Sequence, residues 1–142
     1  MPSVLHRRQF TIEWGDCDPA GIVFNSNFFV FFDQSTWEMF EKVLGVNRAD
    51  LGKTYDLVGF PLVDVRSRFL KPAKFGELVE IESEVSEFRR SSFDVKHRLT
   101  VTGELAAEGT ETRVWAGNDP DNPGKMKAKP IPQAVIERFT AR

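Results

Sequence analysis

Residues 25 to 44 read Asn-Ser-Asn-Phe-Phe-Val-Phe-Phe-Asp-Gln-Ser-Thr-Trp-Glu-Met-Phe-Glu-Lys-Val-Leu, and Gly45 follows. Nothing else in the chain constrains the fold as strongly. The segment is long enough for about five helical turns, and a glycine after the last apolar residue is a helix-ending signal. Wound as a helix, it sets Phe28, Phe32, Met39 and Val43 on one stripe and Phe29, Trp37, Phe40 and Leu44 on a flanking one. Gln34, Glu38 and Glu41 mark a narrow polar edge. A helix apolar around so much of its surface has to be wrapped by other structure.

The remaining sequence supplies the wrapping. From Val4 to Trp14, Phe10, Ile12 and Trp14 alternate with Thr11 and Glu13, which predicts a strand. Alternation returns at Leu62–Phe69, at Leu78–Val85, and at Phe93–Val101, where His97 falls on the apolar face. Thr110 to Ala116 gives a last strand, residues 48 to 55 a short helix, and Gln133 to Phe139 an amphipathic closing segment. The connections are short, which favours antiparallel neighbours. The expectation is an α+β fold: residues 1–142 as a single domain, with an antiparallel sheet of five strands curled around one long helix. The other face of such a sheet needs cover or a partner, so at least a dimer is expected.

Composition narrows the function. The chain has 142 residues and a formal net charge of −2. No dense basic cluster offers a footprint for nucleic acid. The longest apolar run, Phe28 to Phe32, is far short of the roughly 20 residues that cross a bilayer. The N-terminus carries no apolar signal segment, and a single cysteine, Cys17, cannot form an internal disulfide. A cytoplasmic protein that binds neither nucleic acid nor membrane is expected. Thirteen phenylalanines against a single tyrosine imply a bulky apolar interior or a large apolar contact surface.

The richest stretch chemically is Trp14-Gly15-Asp16-Cys17-Asp18-Pro19-Ala20-Gly21-Ile22-Val23-Phe24-Asn25-Ser26-Asn27. Two carboxylates flank a thiol just before the helix begins. A helix N-terminus presents unpaired N–H groups and partial positive charge, which can hold an oxyanion. A carboxylate beside it can act as nucleophile or general base. Spacing alone favours a plain turn with capping residues over a catalytic segment. A calcium loop is excluded, because the position of the bidentate acid is Asn27. The thiol is a poor nucleophile between two acids that raise its pKa. His6 and His97 lack any metal-ligand spacing.

The stretch Gly15-Asp16-Cys17-Asp18-Pro19-Ala20-Gly21-Ile22-Val23, followed by Asn27, resembles the hotdog-fold thioesterases of the 4-hydroxybenzoyl-CoA thioesterase family. Gly59-Phe60-Pro61-Leu62-Val63 is similar to the strand after the helix in that family. Glu87-Phe88-Arg89-Arg90-Ser91-Ser92-Phe93 with His97 is similar to its E-W-R-R-x-S-F…H stretch. The likeness runs from about residue 8 to 116. It implies the hotdog fold, sites at a subunit interface, and hydrolysis of an acyl-coenzyme A thioester without a cofactor or metal. Asp18 aligns with the family's catalytic carboxylate. The backbone N–H that polarises the thioester carbonyl maps to Asn25, where relatives usually carry Tyr or His. Arg89 and Arg90 map to residues that contact coenzyme A phosphates, and the position after them is Ser91. A homodimer or homotetramer is implied.

Other residues carry weaker signals. Asp33 lies between Phe29 and Trp37 on an i, i+4 stripe, so it should be paired or have a raised pKa, and it can hydrogen-bond a polar acyl group such as a ring hydroxyl. His97 reads as a satisfied core or interface histidine. Asp64 and Ser67 can reach an interface pocket, and Lys125, Lys127 and Lys129 read as a solvated loop. Three functions remain open. The first is an acyl-CoA thioesterase for aromatic or for aliphatic groups. The second is a hotdog lyase, for which the helix region lacks a histidine. The third is a non-catalytic acyl-CoA-binding module.

Overall fold

The computed structural model describes residues 4–140. A 20-residue helix, α1 (Asn25–Leu44), lies in the concave face of a five-stranded antiparallel sheet. The strands are β1 (His6–Thr11), β2 (Leu62–Phe69), β3 (Leu78–Phe88), β4 (Ser92–Val101) and β5 (Glu104–Val114), in the order β1-β3-β4-β5-β2. A short helix, α2 (Arg48–Tyr55), follows α1, and α3 (Gln133–Thr140) closes the chain. This is the expected hotdog arrangement, with β2 at one edge and β1 at the other. Gly45 ends α1 with φ of 68°, in the left-handed region, and donates its N–H to the Glu41 carbonyl at 2.9 Å.

Alternation selects the inner face. Val79, Ile81, Ser83 and Val85 of β3 and Phe93, Val95, His97, Leu99 and Val101 of β4 are buried against α1. Gly109 of β5 lies directly under Phe32. A Cβ there would come within 2.7 Å of the Phe32 ring, so only glycine lets the helix approach this closely. Around the second half of α1, Phe40, Phe60, Phe93, Trp115 and Phe139 form a fully enclosed aromatic cluster.

The structure departs from the sequence reading in four places. β1 stops at Thr11, because the chain turns into a one-turn 3₁₀ helix at Trp14–Asp16. Trp14 is therefore 60% exposed, edge-on to Phe75. β5 begins at Glu104, six residues earlier than expected, since Thr102 and Gly103 form a tight turn with positive φ. Lys127 belongs to a two-stranded ribbon of β6 (Ala116–Asn118) and β7 (Met126–Ala128) rather than to a plain loop, with Lys125 and Lys129 flanking the strand. The helix is also less completely wrapped than expected. Ser35 and Thr36 are at its buried centre, whereas Val30 is about half exposed.

Candidate active site

The segment before α1 folds as a small hairpin of its own. Cys17 bridges to Val23, the Asp18 N–H donates to the Ile22 carbonyl at 3.0 Å, and the Gly21 N–H donates to the Asp18 carbonyl at 2.9 Å. Gly21 has φ of 77°, which a side chain would strain. The hairpin is fastened to the segment ahead of β3. The Val23 N–H donates to the Ala73 carbonyl at 2.8 Å, and the Phe75 N–H to the Gly21 carbonyl at 2.9 Å.

Each loop carboxylate accepts one backbone N–H and leaves its other oxygen without a hydrogen-bond partner among the described residues, so the two differ in their backbone bonds. Asp16 is used structurally: its Oδ2 accepts the Glu13 N–H at 2.9 Å, and its carbonyl accepts the Phe24 N–H at 3.0 Å and the Asn27 amide at 2.8 Å. Asp18 accepts only the Ala20 N–H, at 2.8 Å on Oδ1. Its other oxygen has no hydrogen-bond partner among the described residues. Burial and then the two neighbouring carboxylates push the Cys17 thiol up, and Sγ donates to the Glu13 carbonyl at 3.5 Å, so the thiol is not poised as a nucleophile.

Asn25 is the first residue of α1. Phe24, at the cap position, supplies no side-chain bond, so the N–H groups of Asn25 and Ser26 stay open, while that of Asn27 donates to the Phe24 carbonyl at 2.8 Å. Asn25 lines a cleft of about 270 Å³ with Ile22, Val23, Phe28, Phe69, Leu70, Lys71 and Pro72, between the helix start and the end of β2. The hairpin that begins at Asp18 therefore ends at open helix N–H groups and a cleft whose charged lining residue is Lys71.

Asp33 occurs two turns further along α1. It is paired, as a carboxylate among aromatic residues should be: Arg113 donates from Nη2 to Asp33 Oδ1 at 2.8 Å. The Asp33 side chain is 49% exposed and that of Arg113 only 4%. Arg113 also donates to the Phe60 carbonyl from Nη1 at 2.9 Å, and to Glu111 from Nε at 3.0 Å and Nη2 at 2.9 Å. Glu111 also accepts from Thr36 at 2.6 Å and lies 3.2 Å from His97 Nε2. Ser83 bonds the other ring nitrogen at 2.7 Å. Burial pushes the Glu111 carboxyl up, but the bonds from His97 and Arg113 outweigh it and hold the group down at about 2. His97 stacks on Phe32, a satisfied core histidine as expected. Sequence reasoning missed Glu111, Arg113, Thr36 and Ser83. The available signal was Trp115, which shares a strand face with Glu111 and Arg113.

Arg89 and Arg90 are at the β3–β4 turn, beside the far end of α1, where Phe93 and Phe88 meet Phe40 and Phe139. Twenty residues of helix span about 30 Å, so one chain does not bring this turn to Asp18. Asp94 accepts both terminal nitrogens of Arg89, at 2.6 and 3.1 Å, and Glu87 and Ser92 take further bonds. The bonds to Asp94 raise the Arg89 pKa and hold the Asp94 carboxyl below its ordinary value. Arg90 is exposed and makes no side-chain ion pair among the described residues. Asp64 pairs with Arg66 at 3.4 Å, and Ser67 donates to the Glu108 carbonyl at 3.0 Å. No helix among the described residues is long and apolar enough to cross a membrane.

The chain is similar in sequence and fold to known proteins. The profile of the Thioesterase-like superfamily matches residues 12–139. A 4-hydroxybenzoyl-CoA thioesterase from Pseudomonas sp. (strain CBS-3) is 31% identical over 134 residues, covering 91% of this chain and 93% of that protein. A solved structure of a 4-hydroxybenzoyl-CoA thioesterase mutant, an aspartate-to-asparagine substitution complexed with 4-hydroxybenzoyl-CoA, superposes with a TM-score of 0.87 at 30% identity. It covers 96% of this chain and 99% of that one. A gentisyl-coenzyme A thioesterase superposes with a TM-score of 0.78 at 28% identity, covering 94% and 98%.

Proposed function

The chain belongs to the Thioesterase-like superfamily and is a thioester hydrolase acting on acyl-coenzyme A; we propose that its acyl group is aromatic, of the 4-hydroxybenzoyl type, and that Asp18 is the catalytic carboxylate. The single observation that carries this reading is the hairpin that leads from Asp18 into the uncapped start of α1. Each loop acid keeps one oxygen open, but Asp16 is also tied into the turn through its backbone carbonyl. Asp18 either attacks the thioester carbonyl, giving an acyl anhydride that water then hydrolyses, or takes a proton from the water that attacks it; the Asn25 N–H receives the developing oxyanion, and coenzyme A leaves as the thiolate as the C–S bond breaks. A thiolate leaves readily, so no strong acid is required, and none is paired with the site.

Three further observations support the reading. The crystal structure of the relative with 4-hydroxybenzoyl-CoA in place carries an aspartate-to-asparagine substitution. Eight residues separate Asn25 from Asp33, a rise of about 12 Å, shortened by the tilt of side chains toward the helix N-terminus. One aromatic ring with a hydrogen bond at each end fits such a span. Edge strand β2 also exposes Phe69 beside that stretch of helix, where its ring meets Phe28 and Phe29. A second copy of the chain covering this edge completes the site and brings its own Arg90 toward the coenzyme A phosphates, in a cytoplasmic homodimer or homotetramer.

The test is steady-state hydrolysis of benzoyl-, 4-hydroxybenzoyl-, phenylacetyl- and aliphatic acyl-CoA, followed by thioester absorbance. Aryl substrates should be preferred, and Asp18→Asn should lower kcat by about 10²–10⁴ with the fold intact. An aliphatic preference replaces the acyl assignment. Full activity in Asp18→Asn removes the mechanism, and coenzyme A binding without turnover turns the site into a binding module.

A further inference from the structure

Lys71 is the charged side chain in the lining of the cleft at the start of α1, which it shares with Asn25. Its backbone is held from two sides. The Leu70 and Lys71 N–H groups both donate to the Ala106 carbonyl, at 2.8 and 3.2 Å, and the Ala73 carbonyl accepts the Val23 N–H at 2.8 Å. The lysine is thereby fixed between β5 and the hairpin that begins at Asp18. Its head group is not fixed. Nζ pairs with Glu104 at 3.2 Å, but the Glu104 side chain is 73% exposed and that of Lys71 33%. Such a pair contributes little and yields to a competing charge. The stem is flexible and carries three rotatable donors.

The substrate determines which charge Lys71 can meet there. An acyl-CoA is uncharged around its thioester, and its phosphates are a whole pantetheine arm away. A cleft of about 270 Å³ holds the thioester and its neighbours, not a nucleotide. Negative charge therefore arises in it only during the reaction, first on the carbonyl oxygen and then on sulfur. The Asn25 N–H receives the first. We propose that Lys71 is a catalytic residue that receives the second: its ammonium exchanges Glu104 for the departing sulfur. The electron pair of the C–S bond goes to sulfur, an N–H···S bond from the ammonium offsets the new charge, and the proton stays on the lysine. This rests on the placement of the reaction at Asp18 and Asn25 and deepens it. A cation at an apolar cleft acts more strongly on such a charge than water does.

The experiment varies the leaving thiol at a constant acyl group, the one that the wild type turns over fastest as its coenzyme A thioester. Thioesters of coenzyme A, of N-acetylcysteamine (an alkyl thiol without phosphates) and of trifluoroethanethiol (a more acidic thiol) are compared in the wild type, Lys71→Met, Lys71→Arg and Asp18→Asn. Methionine keeps an unbranched apolar stem in the cleft and removes the charge. In Lys71→Met, kcat/KM should fall about tenfold for the N-acetylcysteamine thioester and about twofold or less for the trifluoroethyl thioester, whose thiolate needs less stabilisation. Lys71→Arg keeps the charge and should recover most of that loss. If Lys71→Met does not fold, Lys71→Gln gives the same comparison. A loss equal for the two small thiols, or no loss, overturns the proposal. So does a loss confined to the coenzyme A thioester, which would make Lys71 a phosphate contact. Full activity in Asp18→Asn overturns the site reading and this inference together. An inactive Asp18→Asn, with the Lys71→Met loss indifferent to the thiol, overturns this inference only.

Discussion

The two halves of α1 are built for different purposes. From Thr36 to Leu44 the helix is enclosed: Phe40 alone meets the rings of Phe60, Phe93, Trp115 and Phe139 at centroid distances of 4.5, 5.1, 6.5 and 4.6 Å. From Asn25 to Asp33 one side is buried through Phe28, Phe31 and Phe32, but the side facing β2 is open. Phe24 is 55% exposed at the helix start, and Phe69 and Leu70 at the end of β2 are close to half exposed. The same residue type serves both ends, so phenylalanine content by itself separates nothing. The difference lies in what stands opposite. Strands β3 to β5 and α3 close one half, whereas an unpaired edge strand faces the other. Stability is concentrated where the wrapping is complete, and chemistry where it is left incomplete.

The sharpest way to break that comparison is a pair of substitutions, one in each half. Asp18→Asn should remove turnover by the two to four orders of magnitude given above and leave unfolding free energy nearly unchanged, since only the Ala20 N–H depends on that carboxylate. Phe40→Ala should do the reverse. Emptying a fully buried ring site costs about 3–5 kcal/mol of stability in denaturant unfolding, while the ratio of aryl to aliphatic turnover in the folded fraction stays put. A change of acyl preference in Phe40→Ala would show that the enclosed half shapes the site after all.

The network between the halves responds to acid. Glu111 is held at about 2, below the ordinary 4.5. A depressed carboxylate stabilises the fold above its unfolded pKa and loses that contribution as pH falls through the folded one. The fold should therefore weaken between about pH 4.5 and pH 2, by an amount on the order of 3 kcal/mol. Glu111→Gln should flatten that part of the stability-against-pH curve, measured by urea unfolding at each pH. A curve as steep in the variant as in the wild type would assign the acid sensitivity to other carboxylates.

Much of this was readable in the sequence, and the failures have physical causes. The bounds of α1, its glycine cap, the β2, β3 and β4 segments and the loop acids follow from periodicity and turn chemistry. The phase of β5 stayed unassigned, because its charged residues break the apolar alternation. Glu111 and Arg113 point inward, satisfied by each other and by Thr36 and Phe60. Trp115, buried just past the end of β5, is in step with both, so the phase was available. The open side of the helix was illegible for another reason. Amphipathic pattern tells what must be covered, and only the three-dimensional edge shows what the chain itself leaves uncovered.

The smallest expected effect concerns the paired arginines, which look equivalent in sequence and are not equivalent in the fold. Arg89 is closed onto Asp94, Glu87 and Ser92 within its own hairpin, whereas Arg90 has no such partner among the described residues. A phosphate competing for Arg89 has to displace Asp94, and one meeting Arg90 displaces water only. Arg90→Ala should therefore raise KM for acyl-CoA several-fold with kcat unchanged. The effect should shrink at high ionic strength, because an exposed charge is screened. Arg89→Ala should act mainly on the hairpin, costing a fraction of a kcal/mol of stability, as exposed ion pairs do. The KM values of both variants, measured at low and high salt, check this assignment. A larger KM effect in Arg89→Ala would mean that coenzyme A opens the Asp94 pair on binding, and that the exposed half of the molecule rearranges where the enclosed half does not.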